Sequence, residues 1–565
     1  MLASTLGLPR SLAAAGAALG LPEDQQKMAV GKKLIRYFCK PCKPTAKNGY
    51  RTRNYPRHDP EKWQLFITYN LQDVVTEQAI LKELKSFRPI PKEQELWSVD
   101  QQICDRGIRI DRAFAEGIVE FDEKRSAELM DEAKGITGLD NPNSVAQLKG
   151  WFASQGATEL STDMSKAAVA EAMKRDYPAN VKRMLEIRQA LGKTSTKKYQ
   201  AMLGSVCKDD RVRGMLQFYG ANRTGRWAGR IVQLQNLPQN HIEDLDLARR
   251  IVKARDFEQL ELLFGEPAQV FSELVRTAFI PSEDSRFVVT DFSAIEARVI
   301  AWLAGEEWRL DVFKEGGDIY CASASKMFHV PVVKHGINGH LRQRGKVAEL
   351  ALGYGGGVGA MKSMDKGHKI PEAELPKIVK QWRGSSPKIV RLWSRFEHAA
   401  IKAVEDHRSV NHPVRLRIRD EVYIEFYMAK AGGTECLFVR LPSGRSICYW
   451  HATVNTKKQM GDALEYYGTN QKTGTWSILD TYGGKITENI VQAIARDCLG
   501  VKMVKVTKMG YKVVAHVHDE MIIDVPNSDT EAFQKIDDLM AEPIDWAPGL
   551  PLKGGTYECD YYQKD

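Results

Sequence analysis

The chain has 565 residues, of which 43% are hydrophobic and 27% charged. This composition supplies apolar side chain for a large core and several domains, and it excludes a disordered or fibrous protein. Lys and Arg number 81 against 72 Asp and Glu, a net charge of +9, an excess that suits a polyanionic partner without requiring one.

Nine cysteines over this length do not make a disulfide framework, and the odd count points to free thiols in a reducing compartment. Cys39 and Cys42 form a lone CxxC; no second Cys or His pair follows nearby, which argues against a zinc site. No apolar run reaches the roughly 18 residues of a membrane span. The opening MLASTLGLPRSLAAAGAALGL lacks the basic start of a signal peptide, and Arg10 interrupts it after Pro9, so it reads as folded structure.

Residues 1 to about 87 carry helical apolar patterns and a basic loop from Lys43 to His58. In WQLFITYNLQDVVTEQAILKEL, Tyr69 and Asp73 sit on or beside one helical face. They are either the polar edge of an amphipathic helix or a Tyr-x-x-x-Asp pair, with Asp73 for a metal and Tyr69 for a water. RPIPKEQ, from Arg88, has two prolines and no period, and marks a boundary. A largely helical stretch follows to about Cys207. Within it KTSTKKY, from Lys193, is either a phosphate contact or a solvated helix end. GANRTGRWAGRIVQLQNLPQ, from Gly220, crowds arginines, glycines and amides into a turn-rich segment suited to a nucleic-acid groove.

Residues 286–305, RFVVTDFSAIEARVIAWLAG, read as a short buried strand followed by a helix. Ser293 is placed to cap that helix and Gly305 to end it. Asp291 falls at the strand-to-helix junction, where the sheet fixes its backbone and leaves its carboxylate available to a metal. RQRGKVAELALGY, from Arg342, reads as a helix with Arg342, Lys346, Leu350 and Tyr354 on one face. Two cations one turn apart could grip a triphosphate, and the apolar and aromatic groups could flank a base. Gly345 and Gly353 would each cost about 1 kcal/mol in a helix interior, so they need another reason. More helix runs from Pro371 to about Asp406, with Trp382 and Trp393, and a long helix from Lys485 to Val506 carries Gln492. In YKVVAHVHDEMIIDVP, two β-rich runs flank His518, Asp519 and Glu520, a strand–turn–strand with carboxylates at its tip. Two carboxylates at strand ends can hold two metal ions about 3.5–4 Å apart, and cations on a helix can supply the charge stabilisation that phosphoryl transfer needs.

With these pieces in order, the sequence resembles family A DNA polymerases, the bacterial DNA polymerase I group, and most closely its phage-type members. DFSAIEAR from Asp291 looks like motif A, RQRGKVAELALGYG from Arg342 like motif B, and HDE from His518 like motif C. TGRW from Thr224 and QLQNLP from Gln233 resemble the duplex-binding segment. The resemblance implies a right-hand α+β fold: a palm on an antiparallel sheet, with helical fingers and thumb. Its implied divisions are 1–90 exonuclease-like, 91–210 palm entry and thumb, 211–305 palm, 306–435 fingers and 436–565 palm. It implies primer-dependent addition of dNTPs with release of pyrophosphate, two Mg2+ ions, primer–template DNA as partner, a role in phage DNA replication and a location in the host cytoplasm. Asp291, Asp519 and Glu520 would be the metal residues, and the Phe292 backbone carbonyl would help. Lys346 and Arg342 would bind the triphosphate, Lys346 protonating the leaving group. Leu350, Tyr354 and Tyr320 would line the nucleotide site, and Glu296 would exclude a ribose 2′-hydroxyl. Thr224, Arg226, Asn236, Gln492 and His518 would contact DNA.

Ser293-x-x-Glu296 is equally a capping box, so Glu296 has two readings. Ala294, Phe292, Leu350 and Tyr320 depart from the family's usual Gln, Tyr, Phe or Tyr, and His. YNLQD at Tyr69–Asp73 resembles the last motif of a 3′–5′ exonuclease of RNase H-like fold, yet no Asp-x-Glu precedes it. The resemblance therefore implies a partial exonuclease domain without proofreading, either truncated or completed by a separate polypeptide. A single-subunit RNA polymerase and an inactive DNA-binding remnant are the rival readings; Glu296 speaks against the first, and the intact Asp291, Lys346 and Asp519 against the second.

Overall fold

The run Phe287–Val289 is β-branched and aromatic throughout, and it forms the middle of strand β1 (Ser285–Phe292), with Phe287, Val288 and Val289 fully buried. A strand apolar on both faces must be covered on both, and this one is. Phe287 and Val289 join one core, Val288 and Phe292 the other. The structure is a computed structural model and describes all residues except 88, 162–163, 193–195, 366, 368, 457–462 and 565.

β1 lies inside a four-stranded antiparallel sheet. Its neighbours come from far along the chain: the hairpin β8 (Lys512–Val517) and β9 (Glu520–Pro526) on one side, β10 (Gly554–Cys559) on the other. The strand–turn–strand expected around HDE is thus present. In register, Glu520 and Gly555 lie directly opposite Asp291 from the two sides.

A second sheet, absent from the sequence reading, is a six-stranded antiparallel meander. Its strands are β2 (Val414–Arg419), β3 (Val422–Ala431), β4 (Thr434–Arg440), β5 (Ser446–Asn455), β6 (Ala463–Thr469) and β7 (Trp476–Thr481). The division expected at 435/436 falls inside β4, which hydrogen bonding pairs with both β3 and β5. Helix α8 (Pro387–Glu405) packs against this sheet, and its Phe396 and Ala400 share one core with Phe426 and Leu437.

Among the described residues up to Ile90, the regular elements are all helices. The longest elements are α1 (Leu12–Ala18), α2 (Gly31–Cys39) and α3 (Pro60–Leu84). Among the described residues of this segment there is no strand, so the sheet of an RNase H-like fold is not found there. Instead Leu6, Leu8, Ala15, Leu21, Ile80 and Leu84 close over the meander face formed by Tyr427, Cys436, Phe438, Cys448 and Trp450. Part of the KTSTKKY stretch lies outside the described residues; Tyr199 is buried and donates to the Phe271 carbonyl.

Helix α4 (Pro91–Arg106) and the long α9 (Gly483–Lys508) pack together against the first sheet. Helix α5 (Ile295–Ala304) follows β1 and ends at Gly305 in the left-handed conformation, as the sequence indicates. Its start differs. The residue before the helix is Ala294, at φ 51°, and no side chain caps it. The Ser293 amide instead donates to the Lys553 carbonyl, and the capping box does not form.

Helices α6 (Ile319–Phe328) and α7 (Arg342–Leu352) are closely packed. Gly345 explains itself here: a Cβ on it would lie 2.2 Å from the Tyr320 carbonyl oxygen. Gly353 is the residue that ends α7, so Tyr354 lies just beyond the helix.

Candidate active site

Asp291 reaches the end of β1, and Asp519 sits in the turn between β8 and β9, next to His518 at φ 53°. The Phe292 amide donates to the Asp519 carbonyl at 3.1 Å, which fixes the two carboxylate-bearing backbones side by side. Asp519 Oδ1 is enclosed without a hydrogen bond; its nearest cation is Arg226, at 3.5 Å. Burial, against the pull of Arg226 and with the push of Glu296 and Asp291, raises its pKa to about 6. Two carboxylates crowded at a sheet end, one with an oxygen lacking a donor, fit a hard divalent cation. Mg2+ in particular is commonly held by one or two carboxylates, with waters and substrate phosphates completing the shell. Glu520 is placed differently. It is buried, accepts from Tyr562 Oη at 2.6 Å and lies 4.0 Å from Lys564 Nζ, so its carboxylate is committed inward beside Asp291.

The Glu296 carboxylate is the hub of the site. Arg226 Nη2 donates to Oε1 at 2.7 Å, and Tyr354 Oη donates to Oε2 at 2.5 Å. This network takes the side chain that the capping box would have used. Burial and the nearby Glu296 push the Tyr354 phenol well up, so it remains a donor.

Of the four residues that the sequence sets on one face, Arg342, Lys346 and Leu350 lie within α7 and Tyr354 just beyond it. Lys346 and Leu350 are exposed, whereas Arg342 is engaged: its Nε donates to Asp318 Oδ2 at 2.7 Å and its guanidinium lies 5.2 Å from the Tyr320 ring centre. Asp318 also accepts from the Tyr320 and Cys321 amides at the start of α6. One carboxylate therefore anchors the helix start and the arginine together.

The remaining sequence-selected residues divide. Thr224 is buried, and its hydroxyl accepts from the Arg226 amide at 3.4 Å, so it shapes the turn. Asn236 is exposed in the short turn Leu234–Asn236. Gln492 is half-buried on α9, with Nε2 3.4 Å from Glu488 Oε1. His518 is exposed at the hairpin tip, and Phe292 is buried.

Sequence reasoning missed the support beneath Arg226. On α9, Arg496 donates to both oxygens of Glu93 on α4 and, at 3.1 Å, to the Gly225 carbonyl. Arg445 donates to Asp497 at 2.8 Å and to Tyr219 Oη at 3.0 Å. Gly225, at φ 78°, could not carry a Cβ, which would lie 2.8 Å from Arg445 Nη1. Removing one partner from such a buried ion cluster typically costs about 3–5 kcal/mol, so the turn carrying Arg226 is rigidly held. Gln235 was also passed over; both its amide atoms are enclosed without a partner. Glu93 and Arg496, Gly225 and Arg496, and Tyr219 and Arg445 are each more than two hundred residues apart, and no local pattern marks them.

Tyr69 and Asp73 do come together, but around an internal cation. Lys27 Nζ lies 2.5 Å from Tyr69 Oη and 2.6 Å from Asp73 Oδ2.

A family model described as DNA polymerase family A matches residues 115–418. The chain is 51% identical over its whole length to a DNA polymerase of Bacillus phage SP02, covering 84% of that protein. It is 26% identical over 460 residues to the thermostable DNA polymerase I of Thermus aquaticus, covering 79% of this chain and 45% of the relative. Among solved structures, the POL domain of Pol1 from M. smegmatis, in complex with DNA primer-template and dNTP, superposes with a TM-score of 0.53 at 16% identity, covering 95% of this chain and 79% of that one.

Proposed function

The chain belongs to DNA polymerase family A, and from that premise we propose how its own residues divide the work of template-directed DNA synthesis. Its fold is the α+β polymerase fold, with the four-stranded sheet in the place of the palm. The observation that carries the assignment is the convergence of Asp291 and Asp519 at one end of that sheet, with an Asp519 oxygen left unbonded.

Asp291 and Asp519 would hold two Mg2+ ions, and Glu520, turned to Tyr562, would keep the neighbouring strand and its charge in place. When bound, such ions favour the deprotonated primer hydroxyl and offset charge on the leaving phosphate. Lys346, exposed on α7, is free to meet the triphosphate and to give its proton to the pyrophosphate. Arg342 joins it by exchanging its Asp318 contact for a phosphate, with Tyr320 stacked beneath it. Arg226 is carried on a turn that the Arg496 and Arg445 cluster immobilises, which suits a residue that must meet the primer end in one geometry. Glu296 is held against Tyr354 and Arg226, where its carboxylate can close the space a ribose 2′-hydroxyl would occupy. Primer–template DNA and dNTPs are the partners this arrangement serves. Because Lys27 already occupies the Tyr69–Asp73 pair, we infer that this chain alone does not proofread; Mg2+-dependent primer degradation by it would overturn that.

The test is primer extension by Asp291→Asn and Asp519→Asn. Each is expected to lose extension while keeping duplex affinity within a few-fold of the parent. Extension at the parent rate by either variant would refute the assignment.

A further inference from the structure

The N-terminal segment does more than cover the meander. The Leu8 carbonyl accepts from Asn222 Nδ2 at 2.9 Å. Gly7 lies so close to the same turn that a Cβ on it would sit 3.1 Å from Arg223 Nη1. Leu8 and Pro9 are buried, and the chain emerges at Arg10, which is exposed. The segment from Gly220, which carries Arg226, surfaces again at Arg230, also exposed. Arg230 is fixed there: its amide donates to the Met215 carbonyl at 2.7 Å and its Nε to Gln217 Oε1 at 3.0 Å.

Two further facts distinguish this edge. Among the described residues, neither Arg10 nor Arg230 has a carboxylate partner in an ion pair, whereas the exposed Arg125, Arg175, Arg255 and Arg415 do. The two charges also feel each other: Arg10 is held below the usual guanidinium range, first by partial burial and then by Arg230. Like charges set together without a counter-ion are unfavourable in the free protein, and an anion between them removes the cost. The chain beyond Arg230 is held in an uncommon shape as well. Ile231, a β-branched residue, is at φ 58° and Gln233 is at φ 57°. Lys198 Nζ anchors the intervening Val232 carbonyl at 2.6 Å. Backbone strain of this type persists where the surroundings over-determine it, and it leaves the edge preorganised.

We propose that Arg10 and Arg230 form a phosphate-binding edge that carries the duplex-contacting surface from the Arg226 turn onto the N-terminal segment, with the sugar–phosphate backbone of primer–template DNA as its ligand. The proposal rests on the reading of the Gly220–Gln239 segment as duplex-contacting. Guanidinium groups suit this ligand because their planar donors match phosphate oxygens. Contacts of this type position the duplex and carry no sequence information. Arg10 lies outside residues 115–418, the part matched by the family model, and Arg230 inside it, so the segment packed on the meander would supply the Arg10 half of this edge.

The experiment titrates one labelled primer–template with the full chain across a series of salt concentrations, for the parent, Arg10→Ala, Arg230→Ala and Arg10→Lys. Each alanine variant is expected to bind roughly three- to tenfold more weakly at moderate salt, with the slope of log K against log salt reduced by about 0.9 per lost contact. Arg10→Lys keeps the charge and is expected to keep the slope. Parent-like affinity and slope in both alanine variants would overturn the proposal, and so would a slope loss in Arg10→Lys equal to that of Arg10→Ala, since that marks a packing role. Duplex binding by the parent in the same titration tests the underlying reading separately: parent binding with unaffected variants sinks only the edge.

Discussion

Gly555 is the most direct handle on the position of Asp291. It lies opposite Asp291 across the β10–β1 ladder, and a Cβ built on it would stand 2.7 Å from Asp291 Oδ1. Ordinary contact begins near 3.4 Å, so Gly555→Ala demands a yield of about 0.7 Å. β1 is buried on both faces and hydrogen-bonded on both edges, so the carboxylate gives way before the strand does. A misplacement of about 1 Å at a reacting centre costs on the order of 100-fold in rate. On that scale the displacement is worth roughly 10- to 50-fold in kcat, or about 1.4–2.3 kcal/mol of barrier. Single-nucleotide extension at saturating primer–template and dNTP reads the effect, with thermal unfolding of the same preparation as the check on folding. Gly554→Ala is the comparison: its Cβ would press on Asp537 Oδ1 at 2.8 Å, away from Asp291, so it should lose stability rather than rate. If Gly555→Ala extends primers within twofold of the parent, Asp291 is not held as argued. The same follows if both alanines slow extension equally.

His516 should set part of the acid limit of stability. It is fully buried against Trp227, neither ring nitrogen has a hydrogen bond, and burial followed by the Arg496 charge pushes its pKa down to about 3. The unfolded chain takes up this proton below about pH 6.5 and the folded chain does not, so stability present above pH 6.5 falls by about 1.4 kcal/mol per pH unit beneath it. Urea unfolding of His516→Phe should therefore lose roughly 2–3 kcal/mol less than the parent between pH 7 and pH 4.5; parallel curves would show that the ring takes up a proton while folded. Glu296→Ala should raise incorporation of ribonucleotides relative to deoxynucleotides on the order of ten- to a hundredfold, measured as the ratio of kcat/KM values, and an unchanged ratio would leave Glu296 a structural hub for Arg226 and Tyr354.

The parts of the site carried by short-range pattern were legible. The apolar run before Asp291, the left-handed Gly305 and the hairpin around Asp519 each follow from a few adjacent residues. Ser293 misled because its spacing to Glu296 satisfies a local rule that a distant partner overrides: Arg226 and Tyr354 draw the glutamate away, and Ala294 turns the chain without a cap. The meander was legible and passed over; its alternating residues and the Gly432–Gly433 turn between β3 and β4 are strand signals. Arg496 with Glu93, Arg445 with Tyr219 and Lys27 with Asp73 could not have been read. Each joins residues with no periodic relation, and only the folded packing brings them within reach.

The order of strands in the central sheet has a consequence for synthesis. β1 emerges from the ribosome long before β9 and β10, the two strands that pair with its edges. Until residues 520–559 appear, the apolar face of Phe287–Val289 has neither sheet partner, and a nascent chain carries an unpaired strand of the sort that invites aggregation. The same delay withholds Asp519 from Asp291. No incomplete chain ending before the HDE turn can assemble the acidic pair, so a prematurely terminated product could still retain Arg226 and Arg230 but not the paired carboxylates.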